Sequence, residues 1–207
     1  MSDLQAQFGQ IDIYLFDQIL RGRIGPGMRV LDAGCGSGRN LVYLLRSHHE
    51  VFAADTSPEA IAAVRRLAAT LAPHLPPENF RAEPVERMSF ADALADVVIS
   101  SAVLHFAADD AQFEAMLREM WRVLAPGGLL FARLASTIGM EGRVERIEGR
   151  RFHLPDGSDR YLVDEGRLVG LTTQLGGELI DPLKTTVVQD QRAMTTWVLR
   201  KGPDLRP

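Results

Sequence analysis

Short apolar runs alternate along this chain with longer segments in which apolar residues recur every third or fourth position. The runs are Met28, Val30 and Leu31; Val51 to Ala54; Asn79 to Ala82; Asp96 to Ser100; and Leu129 to Leu134. Each is short enough for a strand, and the near-continuous run at 96–100 predicts a parallel strand covered on both faces. Between them, Leu41, Leu44 and Leu45 have helical spacing. So do Ile61, Val64, Leu67, Ala68 and Leu71 after a Thr56-Ser57-Pro58-Glu59 start, with Pro58 suited to the first helical position. Asp109-Asp110 opens a third such segment, with Phe113, Met116, Leu117, Met120, Trp121 and Leu124 as its core stripe. Asp164 caps a fourth, with Leu168, Leu171, Thr172 and Leu175 inward. The alternation predicts an α/β, doubly wound, Rossmann-like domain. Glu178–Val188 and Ala193–Arg200 close it as a hairpin through Gln189-Asp190-Gln191. Pro182 lacks a donor, which places the first of these strands at the edge. The result is a seven-stranded mixed sheet with the last strand antiparallel.

Two segments stand outside this alternation. Residues 1–10 are polar and expected to be loosely held, and Ile11, Tyr14, Leu15, Gln18 and Ile19 then mark an amphipathic helix ending near Arg21-Gly22. Residues 136–164 interrupt the pattern after the fifth strand. Within them, Arg151–Leu154 and Arg160–Val163 flank Pro155-Asp156-Gly157-Ser158 as a hairpin, read as a lid or rim of a substrate pocket. The whole chain, 1–207, is read as one domain.

The first strand runs into Asp32-Ala33-Gly34-Cys35-Gly36-Ser37-Gly38-Arg39-Asn40. Glycines here allow positive φ and close approach of a ligand, and a strand–turn–helix unit offers free amides. A dinucleotide fingerprint needs its third glycine where Arg39 stands. Asp32 would also repel a pyrophosphate, whereas opposite charges about 4 Å apart attract by roughly 4 kcal/mol before desolvation. The turn therefore favours a cationic ligand without phosphates. Asp55, at the end of the second strand, can accept hydrogen bonds from both ribose hydroxyls. S-adenosylmethionine meets these demands.

The stretch Val30 to Gly38 resembles motif I of the class I S-adenosylmethionine-dependent methyltransferases. The likeness extends through Asp55, Asp96–Ser100 and Leu117–Gly128, covering about Arg29 to Leu134. Gly38-Arg39-Asn40 is similar to the tellurite-resistance subgroup. The resemblance implies methyl transfer from S-adenosyl-L-methionine to a small-molecule acceptor, with S-adenosyl-L-homocysteine as product. It implies cofactor contacts from Asp32, Ala33, Gly34, Cys35, Gly36, Asp55, Thr56, Val85, Ser100 and Tyr14, with the N-terminal helix packing over the cofactor mouth; Tyr14 and Asp17 either face the ligand there or serve as core and helix surface. Glu83 to Asp92 resembles the family's adenine loop, but Pro84 stands where an acid is usual. Glu83 or backbone groups alone would then read the adenine amine.

Ser100 ends the fourth strand and His105 follows it, at the sheet end where ligands bind; His105 either caps or packs locally or is the candidate catalytic base or acceptor contact. Arg133 interrupts an otherwise apolar strand. Buried arginine is rare without a partner, so it either pairs with an internal acid or binds an anionic substrate, and the latter is the expectation here.

A net charge of −4 without long like-charge blocks argues against a nucleic-acid partner, and Ser100-Ser101-Ala102-Val103 lacks the box of amino-methylating DNA enzymes. The single cysteine excludes an internal disulfide and suits a reducing cytoplasm. Cys35 lies inside the glycine turn without a neighbouring histidine, a poor setting for a nucleophile. The five histidines lack metal-ligand spacing, and His48 and His49 read as solvent-facing. No apolar run approaches membrane length. Alternatives of another class are a nicotinamide-dependent dehydrogenase, which Asp32 opposes, a macromolecule methyltransferase, and a non-catalytic S-adenosylmethionine-binding protein.

Overall fold

The computed structural model describes residues 3–203; residues 1–2 and 204–207 lie outside the description. In chain order come α1 (Asp3–Phe8), α2 (Ile13–Leu20), β1 (Arg29–Ala33), α3 (Val42–Arg46), β2 (Glu50–Asp55) and α4 (Pro58–Leu71). Then follow β3 (Phe80–Ala82), β4 (Ala95–Ser101), α5 (Asp110–Val123) and β5 (Leu124–Ala135). After the small strands β6 (Glu145–Glu148), β7 (Arg151–His153) and β8 (Asp159–Tyr161), the chain ends with α6 (Glu165–Gln174), β9 (Gly177–Leu179), β10 (Lys184–Val188) and β11 (Arg192–Lys201).

The main sheet has the order β10-β11-β5-β4-β1-β2-β3, with β9 also paired to β11. Pairs from β5 through β3 are parallel, and β11 is antiparallel to both its neighbours, as the terminal hairpin predicts. Strand order reverses between β1 and β4, the switch point where ligands bind in open α/β sheets. Side-chain caps start the helices: Ser57 accepts from the Ala60 amide, Asp109 from Gln112 and Asp164 from Arg167.

Strand alternation divides the core. Leu31, Val98, Leu130 and Trp197 face α5 and α6, and Val30, Val97, Phe131 and Val198 face α2, α3 and α4. All eight are at most 1% exposed, so both faces are dry, as a central parallel sheet requires. Among the described residues no helix is long and apolar enough to cross a membrane.

Four details differ from the sequence-based expectation. The predicted edge strand 178–188 is two strands, β9 and β10, broken around Pro182, which has no amide hydrogen for the ladder. Residues 3–8 form a helix, because Phe8 packs on Phe16 and Tyr43 at 4.9 and 5.3 Å between ring centroids. The 151–163 hairpin forms as β7 and β8 but gains a third strand, β6, whose four residues are all exposed and so carry no alternation signal. His49 is buried, with its Nδ1 3.3 Å from the Leu44 carbonyl, and burial lowers its pKa.

The break between β9 and β10 turns Asp181 inward, where its carboxylate accepts from Arg23 at 2.6 Å, Gln18 at 3.1 Å and Arg21 at 3.3 Å. Burial pulls the Asp181 pKa up, but Arg23 and Gln18 outweigh it and hold the group below the usual carboxylate range. Its stabilisation is therefore complete above about pH 4 and is lost as pH falls through the lower folded value. Asp181→Ala is expected to cost about 2 kcal/mol near neutrality, the scale of a charged hydrogen bond, and progressively less in acid. Urea melts of both proteins at neutral and acidic pH check this; an equal loss at both would contradict it.

Candidate active site

At the carboxyl ends of β1, β2 and β4 lies a cleft of about 690 Å³. The β1 turn supplies Gly34, Cys35 and Gly36, β2 supplies Asp55 and the following Thr56, and Val85 closes the far end, all as the sequence predicts. Gly34 sits at φ +84°, and a Cβ there would meet the Val103 side chain at 2.5 Å. Gly36 (φ +52°) has open space where a Cβ would stand.

Four amides of the turn are already engaged within the protein. Gly34 and Cys35 both donate to the Ala54 carbonyl at 2.8 and 3.0 Å, Gly38 donates to Cys35, and Gly36 donates to Asp55 Oδ2 at 2.8 Å. Helix α3 begins only at Val42, because the turn closes on itself first. Asp55 is held by two amides, its Oδ1 accepting from Ser57 at 2.9 Å. The carboxylate is thereby fixed at the cleft wall with remaining lone pairs to offer.

Asp32 lies beneath the cleft rather than on its surface. It is 1% exposed, and neither carboxylate oxygen has a hydrogen-bond partner. Burial pushes its pKa up to about 7, with Arg39 pulling down and Asp55 adding to the rise. A buried anion left without a partner is costly, so the site is short of one positive group. Ala33 is also fully buried and does not line the cleft. The Cys35 thiol is held protonated by burial, then by Asp32 and Asp55, which rules against its use as a nucleophile.

Four expected contacts move. Ser100 is fully buried away from the cleft, and Ser101 lines it instead, since a one-residue step reverses a strand side chain. The Tyr14 hydroxyl bonds Thr186 Oγ1 and its ring lies under Arg133 at 5.4 Å, outside the cleft, while Asp17 pairs with Arg21 at 2.9 Å. Glu83 faces the surface and accepts from the Ser89 amide at 3.1 Å. Glu86 is the acid that lines this end of the cleft, accepting from Gln112 Nε2 at 3.0 Å. A 3-10 turn over Val85–Arg87 places it, a local bend that no periodicity announces.

A second cavity of about 280 Å³ adjoins the cleft at Arg39 and Ala102, which border both. His105 and Arg133 both line it, so the sequence candidates for acceptor chemistry come together here. Segment 136–164 contributes a wall that includes Asp156 and Arg160, and the β10–β11 hairpin adds Arg192. The segment is anchored by Tyr161, which stacks on Phe113 at 4.6 Å and bonds Asp110.

Arg133 takes the internal-acid option, which the sequence reading sets second, without being closed off from the cavity. Its Nη1 donates to Asp12 Oδ2 at 3.2 Å, so a protein carboxylate does answer it, while its Nε has no partner and the guanidinium still borders the second cavity. His105 Nδ1 accepts from the Ala135 amide at 3.2 Å, which leaves the hydrogen of the neutral ring on Nε2. Burial, then Arg160 and Arg133, lower its pKa to about 4. The ring is a hydrogen-bond donor near neutrality, not a proton acceptor, which corrects its reading as a base. Among the described residues no three His, Cys, Asp or Glu side chains are arranged to hold a metal.

A nucleoside carrying a positive charge would answer both carboxylates, Asp55 through its ribose and Asp32 through its cation. That demand, at the switch point of this sheet, defines a Rossmann-like domain built for S-adenosylmethionine. Residues 31–132 match the family described as methyltransferase domain, and the chain carries a class I S-adenosylmethionine-dependent methyltransferase domain. It is 32% identical over 120 residues to a malonyl-[acyl-carrier protein] O-methyltransferase of Serratia marcescens, covering 56% of this chain and 42% of that one. It is 29% identical over 115 residues to the tRNA 5-carboxymethoxyuridine methyltransferase of Escherichia coli, covering 55% and 42%. The matches thus span less than half the length of these curated relatives. The fold is shared with the Burkholderia thailandensis 1,6-didemethyltoxoflavin-N1-methyltransferase, solved with S-adenosylhomocysteine, at a TM-score of 0.70 and 21% identity over 97% of this chain and 81% of that one.

Asp32 gives a pH signature. Between about pH 4 and 7 the folded protein keeps a proton that the unfolded chain has released, so this group makes stability fall as pH rises through that window. Asp32→Asn is expected to stabilise the ligand-free protein at about pH 8 by up to roughly 4 kcal/mol, with no gain near pH 4. The same variant should lose affinity for S-adenosylmethionine, measured by calorimetry beside the urea melts. An unstabilised variant that binds normally would show that Asp32 serves neither role.

Asp55→Ala tests the ribose contact separately. It should weaken S-adenosylmethionine binding by about 2–4 kcal/mol, the scale of hydrogen bonds to a charged acceptor, in a protein whose circular dichroism is unchanged. Full affinity in the folded variant would move the ribose elsewhere.

Proposed function

We propose that this chain transfers the methyl group of S-adenosylmethionine to a small anionic molecule held in the second cavity. When bound, the cofactor supplies an activated methyl group on a sulfonium. Asp55 and Glu86 hold its nucleoside from the cleft, Val85 packs against the base, and Asp32 answers its positive charge. Arg133 and Arg39 hold the acceptor, and His105 donates to it through Nε2. Orientation against the methyl carbon supplies the acceleration.

The observation that carries this reading is charge. Four guanidiniums, those of Arg39, Arg133, Arg160 and Arg192, line the second cavity. Two carboxylates stand against them: Asp12, within 3.2 Å of Arg133 and 3.8 Å of Arg39, and Asp156, 3.7 Å from Arg192. The surplus of two positive charges, bordering the cofactor cleft, calls for an anion. A volume of about 280 Å³ is at the small end for ligand sites of about 300–1,000 Å³, which favours a small molecule over a macromolecule. The names of two relatives point to acceptors carrying an acidic group, one attached to a carrier protein and one to tRNA. An acceptor tethered to RNA is therefore the reading to test against.

Purified protein incubated with methyl-labelled S-adenosylmethionine and a lysate of the source cells should place the label in the small-molecule fraction. Label confined to RNA or protein would overturn the small-molecule acceptor, and no label above a boiled control would overturn transfer. Arg160→Gln should lower the labelling rate by about tenfold, the scale of one charged hydrogen bond. Arg160 stacks on Phe106 at 4.8 Å and makes no ion pair, so the fold should survive.

A further inference from the structure

Transfer of a methyl group to a hydroxyl or an amine leaves a proton that something must take. The second cavity has no group fitted to take it. Its lining holds only six charged or titratable side chains among the described residues: four arginines, His105 and Asp156. Arginine is always protonated. His105 has its Nδ1 occupied by the Ala135 amide and turns a hydrogen outward on Nε2. Asp156 accepts from the amide and hydroxyl of Ser158 and faces Arg192, and these contacts outweigh burial to hold it below the usual carboxylate range, where it is a weak base. Asp12, behind the wall, is spent on Ser101, Arg133 and the Tyr14 amide. Donors surround the cavity, and an acceptor of protons is lacking.

We propose that the anion held by these arginines is itself the methyl acceptor: the substrate is a carboxylic acid, bound as its carboxylate, and the product is its methyl ester. This rests on the methyl-transfer reading above. One carboxylate oxygen forms its bond to the methyl carbon as the carbon–sulfur bond breaks, the bonding pair leaving on sulfur. The acceptor loses no proton, so the cavity needs no base. The planar forks of Arg133 and Arg39 suit a carboxylate, and His105 Nε2–H can hold the oxygen that does not react. Ala135, Leu154, Val188 and Met194 give the remaining lining an apolar character suited to the body of an organic acid. Esterification also removes the charge that the arginines recognise, so the product loses its hold on the site.

The labelled product distinguishes this proposal from the broader one. Mild alkali should release nearly all of the small-molecule label as volatile methanol, because carboxyl methyl esters hydrolyse where methyl ethers, methylamines and methyl phosphates do not. Label that forms but stays non-volatile would overturn the carboxylate acceptor and leave methyl transfer standing. A binding readout needs no turnover. Phenylglyoxal modification of Arg133 and Arg160, followed by peptide mass spectrometry, should be slowed by benzoate and not by benzamide. Equal rates with both would count against a carboxylate site.

Discussion

The buried carboxylate of Asp12 ties the ligand end of this molecule together. Its side chain is 2% exposed. One oxygen caps α2 by accepting from the Tyr14 amide at 3.0 Å. The other accepts from the Ser101 hydroxyl at 3.0 Å and from Arg133 at 3.2 Å, with Arg39 at 3.8 Å. The Asp12 amide in turn donates to Asn40 Oδ1 at 3.0 Å. A single residue thus joins α2 to the glycine turn, β4 and β5, and it sets the guanidiniums of Arg39 and Arg133. An ion pair this buried repays its desolvation only through such additional bonds, and here they are present.

The same face of the sheet carries charge in deliberate imbalance. Asp32 has no partner, and the arginines of the second cavity outnumber their carboxylates. The buried Asp32 is destabilising in the ligand-free protein, and each imbalance has the sign that one substrate would cancel: a cation for Asp32, an anion for the arginines. Where the two cavities meet, Ala102 is held at φ +65°, a conformation that costs an L-residue about 1–2 kcal/mol. The Ala102 amide donates to the Arg133 carbonyl at 2.8 Å, which fixes the bend. Local strain and unpaired charge coincide at the junction of the two cavities, as functional sites commonly show.

The arrangement of strands and the cofactor cleft were largely legible in the residues themselves. Apolar runs at 30–31, 51–54 and 97–99 are satisfied by burial on both faces, which favours parallel strands between helices. The glycine spacing from Gly34 to Gly38, with Asp32 before it and Asp55 at the end of β2, pointed to a cationic ligand with a ribose, because those are local constraints of turn and sequence distance. Arg133 announced itself as a charge in an apolar strand.

What the sequence could not decide is what meets across the fold. Asp12 and Arg133 are 121 positions apart, and only the sheet order brings them within a hydrogen bond. Arg160 and Arg192 belong to different hairpins, each unremarkable alone, and become a cationic cavity only when both fold against β5. The choice of Ser101 over Ser100 followed from strand parity, and that of Glu86 over Glu83 from a single turn. His105 changed from base to donor because a backbone amide, that of Ala135, claimed one of its nitrogens. Local composition fixes which elements form and what the cofactor must be. The second cavity is a sum of distant side chains, so its chemistry exists only once the chain has folded.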